Sequence, residues 1–136
     1  MKIVLDTNCL LRAIAGKSDY HCILTALQQG RYVLCCSNDI LMEYEEMLMR
    51  FYAKHITEQV LNFIFYSINT LIIAPYYKWH LISADPDDNK FVDCALNAGA
   101  DYIVTNDKHF NILKEIDFPK VNVIDIETFK KMISIH

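Results

Sequence analysis

Two apolar runs far apart in the chain end in nearly the same polar tip: Ile3-Val4-Leu5-Asp6-Thr7-Asn8 and Tyr102-Ile103-Val104-Thr105-Asn106-Asp107. Each reads as a short buried strand whose carboxyl end delivers an aspartate and small hydrogen-bonding side chains, at the edge where open α/β sheets place their ligands. If the two strands are neighbours, their aspartates converge. Carboxylates held together repel one another unless a proton or a cation intervenes, so the pattern already points to a bound metal.

The rest of the chain alternates strand and helix signals. Strands are expected over residues 2–6, 32–36, 71–74, 102–105 and 121–124, the third closed by Pro75. Helices are expected over 7–15, from an Asp19 cap to Gly30, from 39 toward 51 behind a Ser37 or Asn38 cap, over 56–69 opened by Thr57, and over 89–98 ended by Gly99. Residues 85–88 form a turn or cap, and a helix follows each of the last two strands. Strands separated by helices call for a parallel sheet of about five strands covered on both faces, a three-layer α/β/α fold whose strand ends share one rim. That rim receives Asp6, Ser37 and Thr105-Asn106-Asp107.

With 136 residues, 53% hydrophobic content, 3 Gly and 3 Pro, one compact unit spanning residues 1–136 is expected. The longest nearly uncharged apolar stretch, 60–73, is broken by Asn62, Ser67, Asn69 and Thr70 and falls short of a membrane span. The start of the chain leads directly into a strand without the pattern of a leader peptide, so a cytoplasmic location and no membrane contact are expected. Five cysteines without a CxxC, all in apolar segments, read as free buried thiols, and five scattered histidines offer no zinc spacing. A net charge of -4 counts against a nucleic-acid binder, unless acids pooled in one cleft are balanced by divalent ions.

Further acids are candidates for the same rim. In Asp39-Ile-Leu-Met-Glu43-Tyr-Glu-Glu-Met-Leu, Ile40, Met47 and Leu48 mark a core face with Tyr44 beside it, and Glu43 projects from that side. An inward carboxylate needs either a lysine or arginine partner or a cation, and the sequence leaves both open. In Asp85-Pro-Asp87-Asp88-Asn-Lys-Phe-Val-Asp93, Asp85 and Asp87 read as helix caps, whereas Asp88 and Asp93 can flank one cleft. Asp6 and Asp107 each have a plain alternative as the N-cap of a following helix.

At these residues the chain resembles the PIN-domain family, in the branch grouped with toxin components of toxin–antitoxin pairs. The matching pieces are Val4-Leu5-Asp6-Thr7-Asn8, the stretch from Ser37 through Glu43 to Leu48, and Asp85-Pro-Asp-Asp88 onward to Thr105-Asn-Asp107. The resemblance implies a metal-dependent ribonuclease that hydrolyses RNA phosphodiester bonds and leaves a 5′-phosphate. Asp6, Glu43, Asp88 and Asp107 fall on the family's four acidic positions, which makes them the implied metal ligands and catalytic residues. Asn8 and Thr105 match its supporting polar positions, and Asp93 falls where a further acid is sometimes seen. The Asn106-Asp107 tip departs from the glycine or arginine that relatives often carry there. Carboxylate oxygens suit Mg²⁺ or Mn²⁺.

Arg12, Lys17, Arg50, Lys54, Lys90 and Lys108 are candidates to meet RNA phosphates, against the alternative of solvated helix charges. His109 is a candidate for a substrate contact or a local structural role. The aromatic stretch from Phe51 to Tyr66 reads as core or subunit contact. The resemblance further implies a homodimer and a cognate antitoxin that masks the acidic cleft. Two rival classes stand beside the ribonuclease. One is a phosphoaspartate protein with Asp6 as nucleophile: a phosphatase of this kind expects a second aspartate where Asn8 stands, and a receiver-like protein expects an acidic pair at the end of the first strand and its phosphorylated aspartate on a later one. The other rival is a PIN-like module that binds protein or RNA without cleaving it.

Overall fold

The computed structural model describes residues 1–74, 78–82 and 85–134; Pro75, expected to close the third strand, lies outside them. In chain order the elements are β1 (Lys2–Leu5), α1 (Thr7–Ile14), α2 (Cys22–Gln28), β2 (Val33–Ser37), α3 (Asn38–Phe51), α4 (Lys54–Tyr66), β3 (Thr70–Ile73), a 3₁₀ turn at Pro86–Asp88, α5 (Asn89–Ala98), β4 (Tyr102–Val104), a 3₁₀ helix at Lys108–Glu115, β5 (Val123–Ile124) and α6 (Ile126–Ser134).

The five strands form one all-parallel sheet in the order β3-β2-β1-β4-β5, the centre of an α/β/α fold. Ile3, Val4 and Leu5 are at most 1% exposed, so helices cover both faces of the central strand. The edge strand β3 differs, with Leu71 and Ile72 partly open to solvent. The chain builds outward from β1 to β3 and then returns to the far side for β4 and β5. The topological switch point therefore falls between β1 and β4, where parallel sheets leave a crevice at their carboxyl ends. Leu5 pairs with Val104 there, and the Asp6 N–H bonds Val104 O at 3.0 Å, so Asp6 and Thr105 emerge side by side.

Local signals placed most elements, with instructive exceptions. Ser37 caps α3 by accepting the Ile40 N–H at 3.3 Å, and Gly99 ends α5 in the left-handed region, with φ of 66°. Asp19 does not cap α2, which starts at Cys22 behind His21. Thr57 does not open α4 either. Tyr52 and Ala53 are extended and make a two-residue corner, so α4 begins at Lys54 and Thr57 is buried within it. The buried stripe of α3 is Ile40, Tyr44 and Leu48, with Met47 only half-buried. The helix expected after β4 is 3₁₀, and β5 is two residues long.

All five cysteines are free, four of them buried, and burial pushes the thiols of Cys9 and Cys94 up to about 12. Cys9, Cys35, Cys36 and Cys94 are core side chains in which burial disfavours the thiolate. Phe51, Phe65 and Tyr66, expected in a core or a contact, are at least half exposed. No helix among the described residues is long and apolar enough to cross a membrane.

Candidate acidic centre

Asp6 is the first residue past β1, in extended backbone, and is 6% exposed. Its side chain does not cap α1. Asp6 Oδ2 instead accepts the Thr105 hydroxyl at 2.7 Å, and Thr105 Oγ1 in turn accepts the Asp107 N–H at 3.0 Å. One threonine thus fixes the aspartates of both strand tips. Asp107 also caps the 3₁₀ helix by accepting the His109 N–H at 2.9 Å, so its capping role and its place beside Asp6 coexist.

Glu43 reaches the centre through its neighbour. The buried Tyr44 hydroxyl donates to Leu5 O and ties α3 to the carboxyl end of β1. Glu43, one residue earlier, accepts the Thr7 hydroxyl on one oxygen and pairs with Lys90 Nζ at 2.9 Å on the other. Both side chains of the pair are nearly four-fifths buried. Although burial alone lowers the Lys90 ammonium's pKa, its hydrogen bond to Glu43 and the Glu43 charge carry it above its ordinary value.

Asp88 arrives from the third direction. Asp85 caps the 3₁₀ turn, accepting the Asp87 N–H at 3.2 Å, and its carbonyl accepts the Asp88 N–H at 3.0 Å. Asp88 is only 9% exposed, and its Oδ2 has no hydrogen-bond donor among the described residues. His109 Nδ1 stands 3.5 Å from that oxygen, beyond a good hydrogen bond. The same nitrogen is 3.5 Å from Asp107 Oδ1.

These carboxylates feel one another. Burial pushes the Asp6 carboxyl above its usual range, the charges of Asp107 and Glu43 add to this, and the Thr105 hydroxyl and Thr7 amide oppose it. Burial, then Asp107, Asp85 and Asp6, push Asp88 up to about 6, against His109. A set of hard oxygen donors with one orphaned buried oxygen is chemistry that a divalent cation satisfies. Among the described residues, the group whose possible ligand atoms all lie within 4.8 Å of one another is Asp85, Asp88 and His109. Asp107 adjoins this group through His109, Asp6 acts on Asp88 through its charge, and Glu43 acts in turn on Asp6. A cleft of about 490 Å³, lined by Asp6, Asn8, Arg12, Asn106 and Asp107 among others, opens beside them.

A family model described as the PIN domain matches residues 2–109. The chain belongs to the PIN-domain family. The match takes in every acid just described and ends at His109. Among solved structures, this PIN domain is similar to the crystal structure of VapBC2 from Rickettsia felis bound to a DNA fragment from their promoter. That likeness has 19% sequence identity, covers 92% of this chain and 98% of the other, and has a TM-score of 0.64. At that identity it speaks to the fold. Among curated proteins nothing matches.

Other sequence candidates of the PIN domain fall elsewhere. Asp93 is buried on α5, where Oδ1 accepts the Trp79 N–H at 2.9 Å. Asn89, one turn earlier, grips both backbone groups of Ile82, at 2.8 and 2.9 Å. Together they clasp residues 78–82 onto α5, across a turn where His80 takes φ of 52°. Asn8 is exposed on the cleft wall, and the hydrogen bond to Glu43 comes from buried Thr7 instead. Asn106 caps α6 through the Ile126 N–H at 3.0 Å. Lys90 is neither a solvated charge nor a free phosphate contact, while Arg50 pairs on the surface with Glu46. Thr7 and His109 carry more of the centre than their sequence positions signal. The sign available for Thr7 was its place directly after a strand-end aspartate.

Proposed function

We propose that this PIN domain is a divalent-metal-dependent ribonuclease that hydrolyses RNA phosphodiester bonds, and that it is the toxin of a toxin–antitoxin pair. The observation that carries the reading is the buried, donor-free Asp88 Oδ2 in the field of Asp6 and Asp107. PIN domains are generally nucleases, and the likeness to a VapBC2 structure supports an antitoxin partner. A cytoplasmic location belongs to the same proposal, as do one domain over the whole chain and a homodimer. The exposed Met42, Phe65, Tyr66 and Ile68 support a protein contact.

In this reading Asp6, Glu43, Asp88 and Asp107 hold Mg²⁺ or Mn²⁺. When bound, such an ion supplies Lewis acidity toward a phosphate oxygen and a nucleophile from water at neutral pH. The chain's own residues do the positioning. Thr105 holds the Asp6 and Asp107 tips in register, Thr7 fixes the Glu43 carboxylate, and Lys90 offsets one charge of the acidic set. Arg12, on the cleft wall, is placed to meet the phosphate backbone. Asp93 serves as support by holding the segment that leads toward Asp85.

The test is incubation of the purified protein with labelled RNAs, with and without Mn²⁺, beside an Asp6→Asn variant. Cleavage that requires Mn²⁺ and is lost in the variant supports the reading. Cleavage that survives excess chelator or the variant sinks it.

A further inference from the structure

The three side chains of the described residues that come closest to a ligand shell come from two different segments. Asp85 and Asp88 flank the 3₁₀ turn before α5, and His109 sits in the 3₁₀ helix after β4. Two observations beyond their proximity point to a bound cation. Asp88 Oδ2 is buried and lacks a hydrogen-bond donor among the described residues. The His109 ring is held near it because Asp107 grips the His109 backbone N–H, which leaves Nδ1 at 3.5 Å from both Asp88 and Asp107. Asp85 commits one oxygen to the Asp87 N–H, and its second oxygen has no hydrogen bond among the described residues.

We propose that His109, with Asp85 and Asp88, forms a mixed nitrogen–oxygen cation position that makes the centre select Mn²⁺ over Mg²⁺. This rests on the divalent-ion reading above and adds to it two ligands outside the four acids. The selection follows from ligand chemistry. Mg²⁺ favours an all-oxygen octahedron and gives up its waters reluctantly, whereas a first-row transition ion accepts an imidazole nitrogen more readily. An imidazole in the shell therefore costs Mg²⁺ more than Mn²⁺.

The experiment titrates the purified full chain with MnCl₂ alone, following free Mn²⁺ by electron paramagnetic resonance, and then competes the bound ion with MgCl₂. Pulsed measurement on the bound Mn²⁺ reads directly for coupling to an imidazole nitrogen. Wild type is expected to favour Mn²⁺ by roughly tenfold or more and to show the nitrogen coupling. His109→Ala is expected to abolish the coupling and weaken Mn²⁺ about tenfold, with Mg²⁺ changed less than about twofold. Because His109 is half exposed, the variant should keep its melting temperature, which is measured alongside. Asp85→Asn, in the other segment, is expected to weaken both ions and retain the nitrogen coupling. An unchanged Mn²⁺ to Mg²⁺ preference in His109→Ala, or no nitrogen coupling in wild type, overturns the proposal; if Asp6→Asn still weakens Mn²⁺, the metal-dependent reading stands without it. If wild type binds neither ion, both fall.

Discussion

Lys90 and Glu43, on different helices and 47 residues apart, meet at 2.9 Å in a largely buried ion pair at the edge of the acidic centre. The sequence left two partners open for an inward Glu43, a basic residue or a cation, and the structure supplies the basic one in Lys90. Lys90 takes one oxygen, while the Glu43 charge still raises the pKa of Asp6. Lys90 thus stands where it lowers the repulsion of the metal-free centre.

Removing that cation should therefore separate stability from ion binding. Lys90→Met is expected to destabilise the metal-free protein by about 1–3 kcal/mol, because it strands a partly buried carboxylate. The variant should also gain more from added Mn²⁺ than wild type does. Urea unfolding with EDTA and with Mn²⁺ checks both, and an equal response of the two proteins to Mn²⁺ would refute the role given to Lys90.

Thr105 is bonded to both strand tips, accepting from one and donating to the other. Thr105→Val keeps the shape but leaves the Asp6 Oδ2 and the Asp107 N–H without their partner, at an expected loss of about 1–3 kcal/mol. Thr105→Ser should retain most of the stability, because the hydroxyl is what matters. Chemical denaturation of the two variants tests this, and equal losses would mean that the methyl group, not the hydrogen bonds, matters.

The pH dependence follows from the raised carboxyls. Asp88 has a folded-state value of about 6 against an ordinary 3.8, and Asp6 is shifted in the same direction. The folded state thus holds protons that the unfolded chain has released, so this contribution to stability is fully present below the ordinary value and is lost as pH rises through about 6. Metal-free protein is expected to lose stability between about pH 4 and 6, and Asp88→Asn should flatten that part of the profile. Saturating Mn²⁺ should restore stability at pH 7, since an ion that binds only the folded state stabilises it. Urea midpoints across the range measure all three effects.

Much of this was legible in the chain because strand-end polarity is a local signal with a global consequence. The runs at 3–5 and 102–104 are apolar at every position, which calls for a central parallel strand, and centrality brings their tips together. Gly99 and Ser37 act within one turn and were readable for the same reason. What sequence could not show depended on pairing across elements. Lys90 looks like any surface lysine until α3 and α5 are placed against each other. Thr57 looks like a cap until the extended corner at Tyr52 and Ala53 moves the helix start from 56 to Lys54. Asn8 and Thr7 are adjacent polar residues at a helix start, and only the rotation of α1 decides which of them faces Glu43.

Asp93 provides the sharpest separation of a charge role from a scaffold role. Its Oδ1 holds the Trp79 N–H, so what the structure uses is an acceptor and not a negative charge. Asp93→Asn keeps an acceptor there and is expected to leave stability and Mn²⁺ affinity near wild type. Asp93→Ala removes that acceptor and should cost about 1–3 kcal/mol, with faster proteolysis around residues 78–82. Asn89→Ala, which releases both backbone groups of Ile82, should produce the same local opening. If Asp93→Asn instead weakens Mn²⁺ as strongly as Asp6→Asn does, Asp93 contributes charge to the centre, and its hydrogen bond to Trp79 is secondary to that role.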